Sequence, residues 1–108
     1  MATVKGILGQ ANPLATTLTA LYTVPAGKNA TCRVIITNRT AMAESFRVSV
    51  APNGAADALE QYVAYDKGIA GNDAGTTIAF MVGGDDVVRV FASTANLSFT
   101  CTGIEQDD

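Results

Sequence analysis

The chain has 108 residues, 48% of them hydrophobic but only 6% aromatic, with no Trp and no His, so it folds as one domain whose core is built mainly from Val, Ile, Leu, Ala and Met. A net charge of −3 with seven dispersed Lys and Arg and an isoelectric point near 4.7 exclude the clustered basic patch that nucleic-acid binding needs. No stretch approaches the ~20 apolar residues of a helical membrane span, and the mixed start Met1 to Gln10 lacks a secretory pattern; the expectation is a chain made in the cytoplasm, with neither nucleic acid nor membrane as partner.

Periodicity along the chain is almost entirely two-residue, the mark of half-buried strands. Thr3 to Leu8 is a weak strand. From Thr17 to Val24, Leu18, Ala20, Tyr22 and Val24 form one face and Thr17, Thr19 and Thr23 the other, interrupted by Leu21. Pro25-Ala26-Gly27-Lys28-Asn29 then combines a fixed φ, a permissive glycine and a polar tip, which reverses a chain. Beyond it Ala30, Cys32, Val34 and Ile36 alternate with Thr31, Arg33 and Thr37, with Ile35 the exception. The cleanest strand is Ser45 to Val50, where Phe46, Val48 and Val50 oppose Ser45, Arg47 and Ser49.

Gly54 to Gln61 carries helix formers and an early Asp57, which predicts at most a short helix. Weaker strands follow at Glu60 to Tyr65, Thr76 to Val82 and Asp86 to Ala92. Leu97, Phe99 and Cys101 then alternate with Asn96, Ser98, Thr100 and Thr102. The breaks at Ala11 to Pro13, Asn38 to Met42, Pro52 to Gly54, Ala70 to Asp73, Gly83 to Asp85 and Ser93 to Ala95 are turn-like. Roughly seven to eight short, evenly spaced strands predict an all-β chain: a single antiparallel β-sandwich of immunoglobulin-like or jelly-roll topology. The ends, about residues 1–13 and 103–108, read as flexible or arm-like.

Chemistry finds little support. Without His, the common triads and His-based metal sites are absent. Cys32 and Cys101 both fall on apolar faces, which predicts reduced, inert core thiols; a bond between them remains the alternative. Gly83-Gly84-Asp85-Asp86 offers oxygen ligands for Ca²⁺, but a hairpin turn needs the same residues. The acidic end, Glu105 to Asp108, reads as a solvated tail or as one that docks on a neighbouring subunit. Gly6 and Gly9 lack the Gly-Lys-Ser/Thr that would make a phosphate loop. No residue is therefore assigned to catalysis, to a cofactor or to a metal, and the chain is not expected to be an enzyme. What remains is the surface: outward positions rich in Thr and Ser, and only 16% charged residues, suit broad contacts with other subunits.

Several stretches carry a resemblance: Gly9-Gln10; Thr16-Thr17-Leu18-Thr19; Leu21 to Gly27; Thr37-Asn38-Arg39; Phe46-Arg47-Val48; Tyr62 to Asp66; and Val88 to Asn96. Over most of its length the chain resembles a family of small β-sandwich virion structural proteins of tailed bacteriophages, capsid decoration (cement) proteins among them. The resemblance brings no catalytic residue. It implies a virion location on the capsid surface after synthesis in the host cytoplasm. The partners it implies are the major capsid protein and neighbouring copies of the chain, with a homo-oligomer, a trimer first, as the expected state. A receptor- or carbohydrate-binding module of a head or tail fibre, or another tail or neck component, is the alternative. Against the binding module, all the aromatic residues lie within strand patterns.

Overall fold

A computed structural model describes residues 3–107. Its nine strands are β1 (Thr3–Ala11), β2 (Thr19–Thr23), β3 (Lys28–Asn38), β4 (Glu44–Ala51), β5 (Tyr62–Ile69), β6 (Ala74–Thr76), β7 (Phe80–Gly83), β8 (Val87–Ala92) and β9 (Leu97–Asp107). They form two antiparallel sheets. One has the order β1-β9-β3-β6, with β7 also pairing β3; the other runs β2-β8-β4-β5. The all-β sandwich expected from the alternating pattern is the observed architecture.

The core lies between the sheets because the apolar phase of each strand points there. Ala30, Cys32, Val34 and Ile36 of β3 are buried, as are Leu97, Phe99 and Cys101 of β9 and Val88, Val90 and Ala92 of β8. Phe46 of β4 meets Phe99 of β9 edge-on at 6.3 Å, an aromatic contact that joins the two sheets. Tyr22 crosses the same interior, and its phenol donates to Glu105 Oε1 at 2.6 Å. Burial and that carboxylate push the phenol well above its ordinary range.

Four expectations are corrected. The face Leu18, Ala20, Tyr22, Val24 does not hold. A register shift between Ala20 and Tyr22 inserts an extra residue, so Leu21 and Tyr22 both turn inward while Ala20 is exposed. Ser49, assigned to the outer row, has no exposed surface and its hydroxyl no partner; the pairing of β4 with β5 slips beside it, between Val48 and Ser49. Gly54 to Gln61 is no α-helix but lies across two short 3₁₀ turns, Pro52–Gly54 and Leu59–Gln61. Asn53 and Gly54 have positive φ and Ala58 is extended, so helical hydrogen bonds cannot propagate between them. Finally, the ends are strand-paired rather than arm-like over the described residues. Thr3 to Ala11 pairs β9 antiparallel from Gln106 to Phe99, and β9 is held on its other flank by β3 as far as Asp107. Residues 1, 2 and 108 lie outside the described part.

The turn after β2 behaves as its residues dictate. Lys28 N donates to Pro25 O at 3.2 Å, and Gly27 sits at φ +77°, a region that costs an L-residue roughly 1–2 kcal/mol. Gly27→Val should therefore lower stability by about that amount in chemical denaturation, with an unchanged denaturant slope.

Candidate interaction surface

The residues weighed for chemistry are placed in structural roles. Asp86 accepts from Gly83 N at 2.8 Å and from Asn53 N at 3.0 Å, while Asp85 N donates to Val24 O at 2.9 Å. The Gly83–Asp86 segment is thus a tight turn, but not that of a hairpin, since β7 pairs β3 while β8 pairs β2 and β4 in the other sheet. It carries the chain between the sheets, and its Asp86 carboxylate caps two backbone donors. Cys32 and Cys101 are free and buried. Glu105 receives the Tyr22 phenol, and Asp107 pairs with Lys28 across the register that joins β3 to β9, so the acidic end closes a ladder. Gly9 lies where β1 passes β2: a Cβ there would stand 2.2 Å from Leu21 O. Among the described residues no three His, Cys, Asp or Glu side chains gather where a metal ion could be held.

Two surfaces each gather several of the exposed apolar groups. The first is the outer face of the five-stranded sheet. Strand partners share a face, so the register defines three cross-strand rows: Met81–Thr31–Ile104, Arg33–Thr102–Ile7 and Thr76–Ile35–Thr100–Gln10. Met81 is 78% exposed and Ile7 62%. Hydroxyls and apolar side chains alternate across these rows; Arg33 lies within them, and Lys5 occupies the register position beyond Ile104. The Thr-rich outward phase was legible from alternation; the assembly of Ile7, Ile35, Met81 and Ile104 into one face was not, because three of the four come from strands whose neighbours only the topology defines.

The second surface flanks the edge strand β5. Between Phe46 and Val48 the partner strand runs from Lys67 to Ala64, so one extra residue is looped into β5, and Asp66 takes up a positive φ of 51°. That bulge swings the Asp66 carboxylate onto Arg47, Nε to Oδ1 at 2.6 Å and Nη2 to Oδ2 at 3.2 Å. The guanidinium also lies over the rings of Tyr65, at 4.2 Å, and Phe91, at 4.5 Å. Tyr62 packs edge-on against Tyr65 at 5.0 Å and donates to Asp57 Oδ2 at 3.1 Å; burial and that carboxylate raise its phenol pKa. A cleft of about 400 Å³ lies alongside, between β5 and the β6–β7 edge, lined by Phe46, Val63, Tyr65, Lys67, Thr77 and Ile78. No sequence signal pointed to this cluster, because a two-residue period cannot register a bulge.

No protein-family model matches the chain and no curated protein matches it in sequence. Among solved structures the fold is similar to a chain in the structure of infectious bursal disease virus Gx strain, with a TM-score of 0.50 at 8% identity over 96% of this chain. The match takes in 31% of that chain, so this protein spans about a third of its length. The likeness defines the class of fold, a two-sheet antiparallel β-sandwich found in a virus structure.

The Arg47 pair makes a titration prediction. The guanidinium hydrogen bond holds the Asp66 carboxyl below its ordinary 3.8. A carboxyl more acidic when folded contributes its full stability above the ordinary carboxylate range, and loses it as pH falls through the folded value. Side-chain NMR titration should find the Asp66 midpoint below 3.8, returning toward that value in Arg47→Gln. A midpoint unchanged by the substitution would show that the pair is not formed in solution.

Proposed function

We propose that this chain is a virion structural protein, and more narrowly a bacteriophage capsid decoration protein that binds the assembled shell from outside and bridges neighbouring subunits. The observation that carries this reading is the outer face of the five-stranded sheet, broad, rich in hydroxyls, studded with exposed Ile and Met and sparsely charged, with Arg33 and Lys5 the charged positions of its rows. Four strands at about 4.8 Å spacing and eleven residues at about 3.4 Å span roughly 20 × 35 Å, close to the ~800 Å² per partner of a standard interface. Support also comes from the stretches that resemble phage virion proteins and from the fold shared with a chain of a virus structure.

Under this reading the mechanism is geometric. Each copy contributes a moderate contact at a symmetry-related position, and displacing the shell from its mature form must break many such contacts together. The partners are the major capsid protein and neighbouring copies, with a trimer as the proposed unit. A fibre module that binds a receptor or carbohydrate would have to use the half-exposed Tyr65, but Arg47 already covers one face of that ring.

Cryo-microscopy of native particles tests the proposal. Density for this fold at repeated positions on the outer shell is the expected result, and density confined to the tail, or none, overturns it. The face is tested separately: Ile7→Lys with Met81→Lys should reduce binding to stripped particles at least tenfold with unchanged melting of the free protein, since both side chains are largely exposed.

A further inference from the structure

We infer that Cys32 and Cys101 are the two halves of a latent cross-strand disulfide, which closes when the folded chain meets an oxidising thiol–disulfide environment and joins the two central strands of the five-stranded sheet. They are the only cysteines in the sequence, both free, 3% and 0% exposed. The register that pairs Val34 with Cys101 and Cys32 with Gly103 places them diagonally on neighbouring strands, facing the same interior. Diagonal neighbours of an antiparallel pair sit about 7–8 Å apart, just beyond the ~7 Å a disulfide spans, so closing the bond requires a small shift of β9 along β3.

Gly103, directly opposite Cys32, brings the two strands close at this point. A Cβ on it would stand 2.7 Å from Cys32 Cα and 2.9 Å from Cys32 Cβ, so β9 rides against Cys32 at a distance only glycine permits. Hydrogen bonding to the neighbouring thiol and burial drive Cys101 well above the ordinary thiol range. Local opening lets either thiol attack first and the other resolve, and the steps balance identically in either order.

With glutathione disulfide as oxidant the chemistry balances. Where Cys32 is first, its thiolate attacks one glutathione sulfur and expels the other glutathione as thiolate, leaving a mixed disulfide. Cys101, deprotonated to solvent, then attacks Cys32 Sγ and expels the second glutathione. Two protein thiols are oxidised, one glutathione disulfide is reduced to two thiols, and the protein keeps only the new S–S bond. Because both sulfurs are buried, the reaction requires local opening and runs slowly until mild denaturant assists it. The product closes a loop of roughly 70 residues, a long constraint on the unfolded chain.

The test uses the full chain alone and so does not depend on the virion reading. Treatment with glutathione disulfide in mild denaturant, then its removal, should lower the intact mass by two hydrogens with no glutathione retained. Proteolysis should then yield one cross-linked pair of peptides. Melting should rise by roughly 10 °C or more and fall back on reduction, while Cys32→Ala and Cys101→Ala, treated identically, show no loss of two hydrogens and no rise. Two alkylatable thiols after treatment, a persistent mixed disulfide, a covalent dimer, or a bond that lowers melting would each overturn the inference.

Discussion

The β3–β9 ladder is the constraint on which the rest of the structure depends. It runs unbroken through eleven residue pairs, from Lys28 opposite Asp107 to Asn38 opposite Leu97. Each strand also carries a partner on its other side, β1 on β9 and β6 with β7 on β3, so the backbone donors and acceptors of this pair are satisfied away from water. The ladder also sets the phase of the core. Once Val34 faces Cys101 and Ile36 faces Phe99, both strands present their apolar rows to the same side, and a slip of one residue would turn every one of them outward.

The second sheet is docked onto that platform by a few specific contacts rather than by a long ladder. Phe46 against Phe99 and Tyr22 against Glu105 reach across the interior. At the end of β3, buried Asn38 ties the loops together: its amide donates to Met42 O at 2.8 Å, Ala70 O at 3.2 Å and Ile69 O at 3.3 Å, and its Oδ1 accepts from Thr40 N at 3.0 Å. A buried amide is tolerable only when so satisfied, and here it fastens the end of β5, in the second sheet, to β3. Gly71 lets the loops close, since a Cβ there would meet Ala41 O at 2.1 Å.

Irregularities then shape the surfaces. The edge strand β5 carries bulges against β4, and the opposing edge breaks between β6 and β7, where Thr77 alone bridges to Val34 through its N–H at 2.9 Å and its hydroxyl at 3.0 Å. Broken edges resist strand-to-strand association. They leave the continuous outer face of the five-stranded sheet as the broad surface on which a flat contact can form, while the bulge at Asp66 builds the Arg47, Tyr65 and Phe91 cluster on the other side.

Alternation in β3, β4, β8 and β9 is strong enough to read directly, because a half-buried strand writes its two faces into neighbouring residues. From it follow the all-β class, the sandwich, most of the core, the buried cysteines and the glycine turn at Gly27. The absence of His and the scattered charge were equally plain. Tertiary structure alone decided that β1 and the last residues of β9 pair instead of projecting as arms, that Leu21 and Tyr22 both turn inward, that the segment after Pro52 makes 3₁₀ turns, and that Ile7, Ile35, Met81 and Ile104 share a face. The physical reason is common to all four: sequence periodicity is local, whereas strand partners, bulges and shared faces are fixed by which backbone, often distant in the chain, supplies the hydrogen bonds.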